Sequence, residues 1–196
     1  MSSSALSMTP QISKVCRSSY LHLQCLYRIR RYVDRPTLES LVHAFITSKL
    51  DYCNALYVGI PANQIQRLQR IQNAAARLVS GARRREHISP VLRQLHWLPV
   101  DKRVKFKVLL LTYKATNNLG PCYLNALCSP AVQRRTLRSS SQGLLNVPFT
   151  RSTLVKSCAF SFIGPSLFNA LPSSLRLSSS FDLFKQRLKT YLFNEF

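Results

Sequence analysis

The chain has 196 residues and carries 28 lysines and arginines against 7 aspartates and glutamates, a net charge of +21. A hydrophobic fraction of 46% is enough for a packed core and argues against wholesale disorder. The longest clean apolar run, Val108-Leu109-Leu110-Leu111, falls far short of the roughly 18 residues of a membrane span. The opening MSSSALSMTP has neither the basic nor the apolar region of a secretory signal, so an intracellular location is expected, nuclear or cytoplasmic being open.

In chain order, the Ser-rich residues 1–11 read as a disordered tail. From Ile12 to Val33 the pattern is helical, with Arg28, Arg30 and Arg31 near the C-terminal end, where cations suit the helix dipole. Asp34-Arg35-Pro36 breaks it. A second helix starts at Thr37 and runs to about Leu56, with Leu38, Leu41, Val42, Phe45 and Ile46 on one broad face. A third helix opens at Pro61 and is closed by Gly81 after Ser80. On its wheel Ile65, Leu68, Ile71, Ala75, Leu78 and Val79 share an arc of roughly 140°, while Arg67, Arg70 and Arg77 share a flank of roughly 80°. At about 1.5 Å per residue those three arginines span roughly 15 Å, more than one backbone phosphate.

The run Arg83-Arg84-Arg85 follows in a loop; a nuclear-import signal is its competing reading. Ser89-Pro90 caps a short helix through Leu95. Trp97, between Leu95, Leu98 and Pro99, reads as core. The helix expected from Val100 to Asn117 is apolar on two sides, with Arg103, Lys107 and Lys114 lined up between them within roughly 40°. A buried unpaired charge is costly, so this stripe is expected to face water or a ligand. Asn118-Leu119-Gly120-Pro121 is a breaker, and Tyr123 to Leu127 suggests a short helix. Residues 129–152, with Arg134, Arg135 and Arg138, read as a basic loop with one or two short strands. Residues 153–177 are apolar but punctuated by Gly164, Pro165 and Pro172. Ser179 and Asp182 form an expected capping box for a last amphipathic helix bearing Phe181, Phe184, Leu188, Tyr191 and Leu192. The fold class is therefore mainly α: a helical bundle over 12–118, then a smaller mixed, loop-rich subdomain over 119–196 that ends in that helix.

The charge is evenly spread, with 14 basic and 4 acidic groups in 1–98 and 14 and 3 in 99–196. Arginines outnumber lysines 19 to 9, which favours forked contact with phosphate over diffuse solubilising charge. Nucleic acid is the expected partner; an anionic membrane surface and a merely solvated basic surface are the alternatives. No pair among the six cysteines has a C-x-x-C spacing and no histidine lies near the closest pair, so neither zinc nor any other metal is expected. The thiols are expected to be reduced and mostly buried. No G-x-G phosphate loop occurs, and no cofactor is implied. Lys49 and Asp51 are expected to make a local ion contact.

Several strings resemble one family: SKLDYCNAL (48–56), RLQRIQNAAARLV (67–79), LHWLPV (95–100), RVKFKVLLLTYK (103–114), LRSSSQGLLNVP (137–148), GPSLFNALP (164–172) and FKQRLKTYLF (184–193). They occur in the order seen after the polymerase palm in LINE-type, non-LTR retrotransposon reverse transcriptases of the jockey-like group. The resemblance covers about 12–193. It implies the thumb and post-thumb region, with a thumb-like helical bundle that grips an RNA–DNA duplex. It further implies backbone contacts from Arg67, Arg70, Arg77, Arg103, Lys107 and Lys114. In that family the catalytic carboxylates sit in a palm Phe/Tyr-x-Asp-Asp turn that holds magnesium. Here no two acidic residues are adjacent, and Phe168 stands where the family often has Trp.

The expected function is non-catalytic binding of nucleic-acid backbone, RNA–DNA or RNA duplex, by Arg67, Arg70, Arg77, Arg83, Arg84, Arg85, Arg103, Lys107 and Lys114. Two alternatives stand beside it: a polymerase component active only with the palm domain of a parent polymerase as partner, and a non-functional remnant of a truncated element. Oligomeric state is open.

Overall fold

Pro10 supplies the fixed φ that opens a helix without losing a needed N–H, and α1 (Thr9–Ile29) begins there, three residues before the expected start. The computed structural model describes residues 8–131 and 143–196, so residues 1–7 of the expected tail lie outside the described residues. A 3₁₀ turn, Arg30–Tyr32, ends α1. The second expected helix is four pieces. α2 (Arg35–Val42) passes through a π-helical stretch, His43–Thr47, into α3 (Ser48–Asp51), and a separate 3₁₀ turn covers Asn54–Tyr57. Cys53, at φ 51°, breaks the run before Asn54.

α4 (Ala62–Ser80) matches the expected third helix, closed by Gly81 at φ 79°, a conformation that favours glycine. α5 (Ile88–Gln94) and α6 (Val100–Thr116) follow, then the short α7 (Cys122–Asn125). The chain divides into two compact units, one running through Arg103 and taking in Phe196, the other Val104–Glu195. The division falls within α6, and the joint expected near residue 118 lies inside the second unit.

In the first unit α1 packs on α4 and on the π-helical stretch, and α4 also meets α2 and α5. Leu23, Leu26, Leu38, Val42, Ile46, Leu68, Ile71, Leu78 and Leu92 are buried at this core. Trp97 is buried as expected, its ring edge-on to His43 at 5.3 Å between centroids. Two glutamines of α4 hold the segment that enters α6. Buried Gln72 donates from Nε2 to the Leu98 carbonyl at 2.8 Å, and Gln69 Oε1 accepts from the Val100 N–H at 2.8 Å. Gln69 Nε2 donates in turn to Gln72 Oε1 at 3.0 Å and to Asn73 Oδ1 at 2.7 Å, so this small network is internally satisfied.

The second unit is more helical than expected. Residues 153–177 carry α8 (Thr153–Cys158), α9 (Phe160–Asn169) and α10 (Ser173–Arg176), despite Gly164 and Pro165 in α9. Burial of Gly164, Pro165 and Phe168 outweighs their poor helix propensity. Gly164 is required by close approach: a Cβ there would meet Thr112 Oγ1 of α6 at 2.8 Å. α11 (Phe181–Asn194) is the expected last helix, but its cap is Ser180, not Ser179, with its side chain accepting from the Leu183 N–H. Tyr113 of α6 stacks on Phe184 of α11 at 4.2 Å and donates to the Ser178 carbonyl at 2.7 Å. Burial pushes the Tyr113 hydroxyl above its ordinary titration range.

Instead of the expected short strands, the described residues hold an isolated antiparallel bridge, Pro130 to Leu145. Asn169 imitates a neighbouring strand there: its Oδ1 accepts from the Leu145 N–H and its Nδ2 donates to the Leu145 carbonyl, both at 2.8 Å. Arg134, Arg135 and Arg138 of the expected basic loop lie outside the described residues. Among the described residues no helix is long and apolar enough to cross a membrane.

Candidate nucleic-acid interface

Helical spacing puts Ser13, Cys16, Arg17 and Tyr20 on neighbouring turns of α1, and Arg67 and Arg70 on one flank of α4. Because α1 packs on α4, these six residues line one cleft of about 340 Å³. Its lining carries three guanidinium groups and no carboxylate. Arg67 is fixed from both sides, donating from Nη1 to Gln64 Oε1 at 2.8 Å and from Nη2 to Ser13 Oγ at 3.1 Å. A guanidinium has five N–H donors, so this leaves Arg67 with donors to offer while its orientation is held. Arg17 and Arg70 are exposed, and Tyr20 is 44% exposed. Cys16 forms the floor. Burial pushes its thiol up, and the nearby Arg67 charge works against that rise.

The other expected site residues do not join this cleft. Arg77 folds back along the loop after α4, its Nη2 donating to the Glu86 carbonyl at 3.2 Å while its buried Nε has no hydrogen-bond partner. It braces the loop that presents Arg83, Arg84 and Arg85, all three of which are exposed. Arg103 departs from the expectation that its stripe faces water or a ligand. Its side chain is 16% exposed and pairs with Asp51, Nη1 to Oδ2 at 2.6 Å, while Nε donates to the Leu98 carbonyl at 3.0 Å. A carboxylate distant in the sequence thus meets the desolvation cost that the stripe argument assigned to solvent. Lys107 is exposed. Lys114 is half-buried, with its Nζ 4.6 Å from the Phe181 ring centroid, a cation–π placement.

The expected Lys49–Asp51 contact is also replaced. Lys49 donates to Ser18 Oγ and lies 3.2 Å from His22 Nδ1, and Asp51 instead binds Arg103 and accepts from Asn54 Nδ2 at 3.3 Å. The cysteines are mostly exposed rather than mostly buried: Cys16 and Cys128 are buried, the other four are exposed, and none forms a disulfide. No cluster of three or more metal-ligating side chains occurs among the described residues.

Arg17 and Tyr20 are the residues that sequence reasoning missed. The signal was present, since both lie on the same flank of α1 as Ser13 and Cys16, but only the packing of α1 on α4 brings that flank to Arg67 and Arg70. Comparison of the chain with protein-family models, with curated proteins and with solved structures finds no match.

Proposed function

We propose that this chain is a non-catalytic nucleic-acid-binding module, derived from the thumb and post-thumb region of a LINE-type retrotransposon reverse transcriptase, that holds sugar–phosphate backbone with little sequence preference. The observation that carries it is the α1–α4 cleft, where Arg17, Arg67 and Arg70 converge with no carboxylate in the lining. Each guanidinium offers a planar fork suited to phosphate oxygens. The composition supports the same reading: paired one to one, 7 acidic groups leave 21 of the 28 basic groups without a carboxylate. Exposed Arg83, Arg84, Arg85 and Lys107 extend the cationic surface. Arg77 and Arg103 are assigned a bracing role, because a loop carbonyl holds the first and Asp51 the second. The absence of any adjacent acidic pair in the sequence supports a non-catalytic chain, with polymerisation left to a separate palm domain.

Fluorescence anisotropy with an RNA–DNA duplex and with single-stranded RNA, at about 50 mM salt, tests this reading. Both are expected to bind, with affinity insensitive to sequence. No binding of either at that ionic strength would overturn it.

A further inference from the structure

We propose that the phosphate seated in the α1–α4 cleft is a terminal monoester, the 5′-phosphate of one nucleotide, the rest of the strand's backbone being held by the exposed cations outside the cleft. This deepens the function proposed above and rests on its anion-binding part. Three arginines line the cleft and no carboxylate does, so the local excess is three positive charges. A phosphodiester neutralises one of them. A monoester carries about 1.5 to 2 negative charges at neutral pH and offers three terminal oxygens, so it matches the converging forks better.

Geometry points the same way. Arg17 approaches from α1, and Arg67 and Arg70 from α4, so donors reach an anion from two walls. Arg67 is already oriented by Ser13 and Gln64, which lowers the ordering cost of binding. The cleft volume of about 340 Å³ exceeds what a phosphate ion alone fills and lies at the small end of ligand pockets. It accommodates a single nucleotide. Tyr20 supplies a partly exposed ring on which a base or sugar can lie, and its hydroxyl adds a further polar contact. A continuous strand has no need of such a concavity, whereas a strand end does.

The same chemistry is offered by a free nucleotide and by a strand terminus, and the experiment separates them. With the full chain, one pair of titrations compares adenosine 5′-monophosphate with adenosine. A second pair compares a single-stranded oligonucleotide bearing a 5′-phosphate with the same oligonucleotide bearing a 5′-hydroxyl. In each pair the phosphorylated member is expected to bind about tenfold tighter. Arg17→Ala/Arg70→Ala, which alters only exposed side chains, is expected to reduce both preferences to within about twofold while circular dichroism stays unchanged. Equal affinity of the two members of either pair, where they bind, or a preference that survives the double substitution, overturns the terminal-phosphate seat. If the two oligonucleotides bind equally well, the seat falls and the backbone-binding function stands. If the mononucleotide shows the preference and neither oligonucleotide binds, the seat stands and the backbone-binding function falls.

Discussion

Cys53 holds φ at 51° where α3 gives way to the Asn54–Tyr57 turn, and its side chain is exposed. A non-glycine residue in the left-handed region costs about 1 to 2 kcal/mol, partly offset by the extra freedom glycine has in the unfolded chain. Cys53→Gly is therefore expected to stabilise the protein by about 0.5 to 1 kcal/mol, read as a shift of the urea midpoint at constant slope. At this scale the sequence was only partly legible. The wheel placed Arg67 and Arg70 on a common flank of α4, and both line the cleft. For Arg103 the same wheel reasoning failed, because a periodicity argument sees one helix and Asp51 is 52 residues away. Arg77 does not join Arg67 and Arg70 in the cleft: its long side chain reaches past its own helix to the Glu86 carbonyl.

Among the elements, the α6–α9 contact is the most demanding, since Gly164 leaves no room for a Cβ beside Thr112 Oγ1. Gly164→Ala is expected to cost about 1 to 3 kcal/mol by forcing the helices apart. Thr112→Ala removes the opposing atom, so the double variant should recover part of that loss, a coupling that a thermal-melt double-mutant cycle measures. Independent losses that simply add would show that the crowding is elsewhere. Strong apolar periodicity made α4 and α6 readable to within one residue at each end. Residues 153–177 were only partly readable: Gly164 and Pro165 are local breaking signals that burial overrides, whereas Pro172 does break the chain, between α9 and α10. Particular residues account for this: Gln69 and Gln72 hold the entry to α6, and Gly164, Phe168 and Asn169 build the second unit. Gln69, Gln72, Gly164, Phe168 and Asn169 are fold-bearing positions, whereas Arg67 and Arg70, interleaved with the glutamines on α4, line the cleft.

For the whole molecule, the governing fact is a net charge of +21 that its own acidic groups leave uncompensated. Such a surface repels itself, and a polyanion relieves that repulsion while releasing its own condensed counterions. The sharpest check is the salt dependence of duplex binding, for the parent chain and for a variant with Arg83, Arg84 and Lys107 each changed to Ala. All three side chains are exposed, so stability is expected to be unaffected. Log K is expected to fall linearly with log salt concentration, and the variant's slope to be shallower by about three, close to 0.9 per lost phosphate contact. An affinity indifferent to salt, or a slope that the three substitutions leave unchanged, would contradict the backbone-binding function.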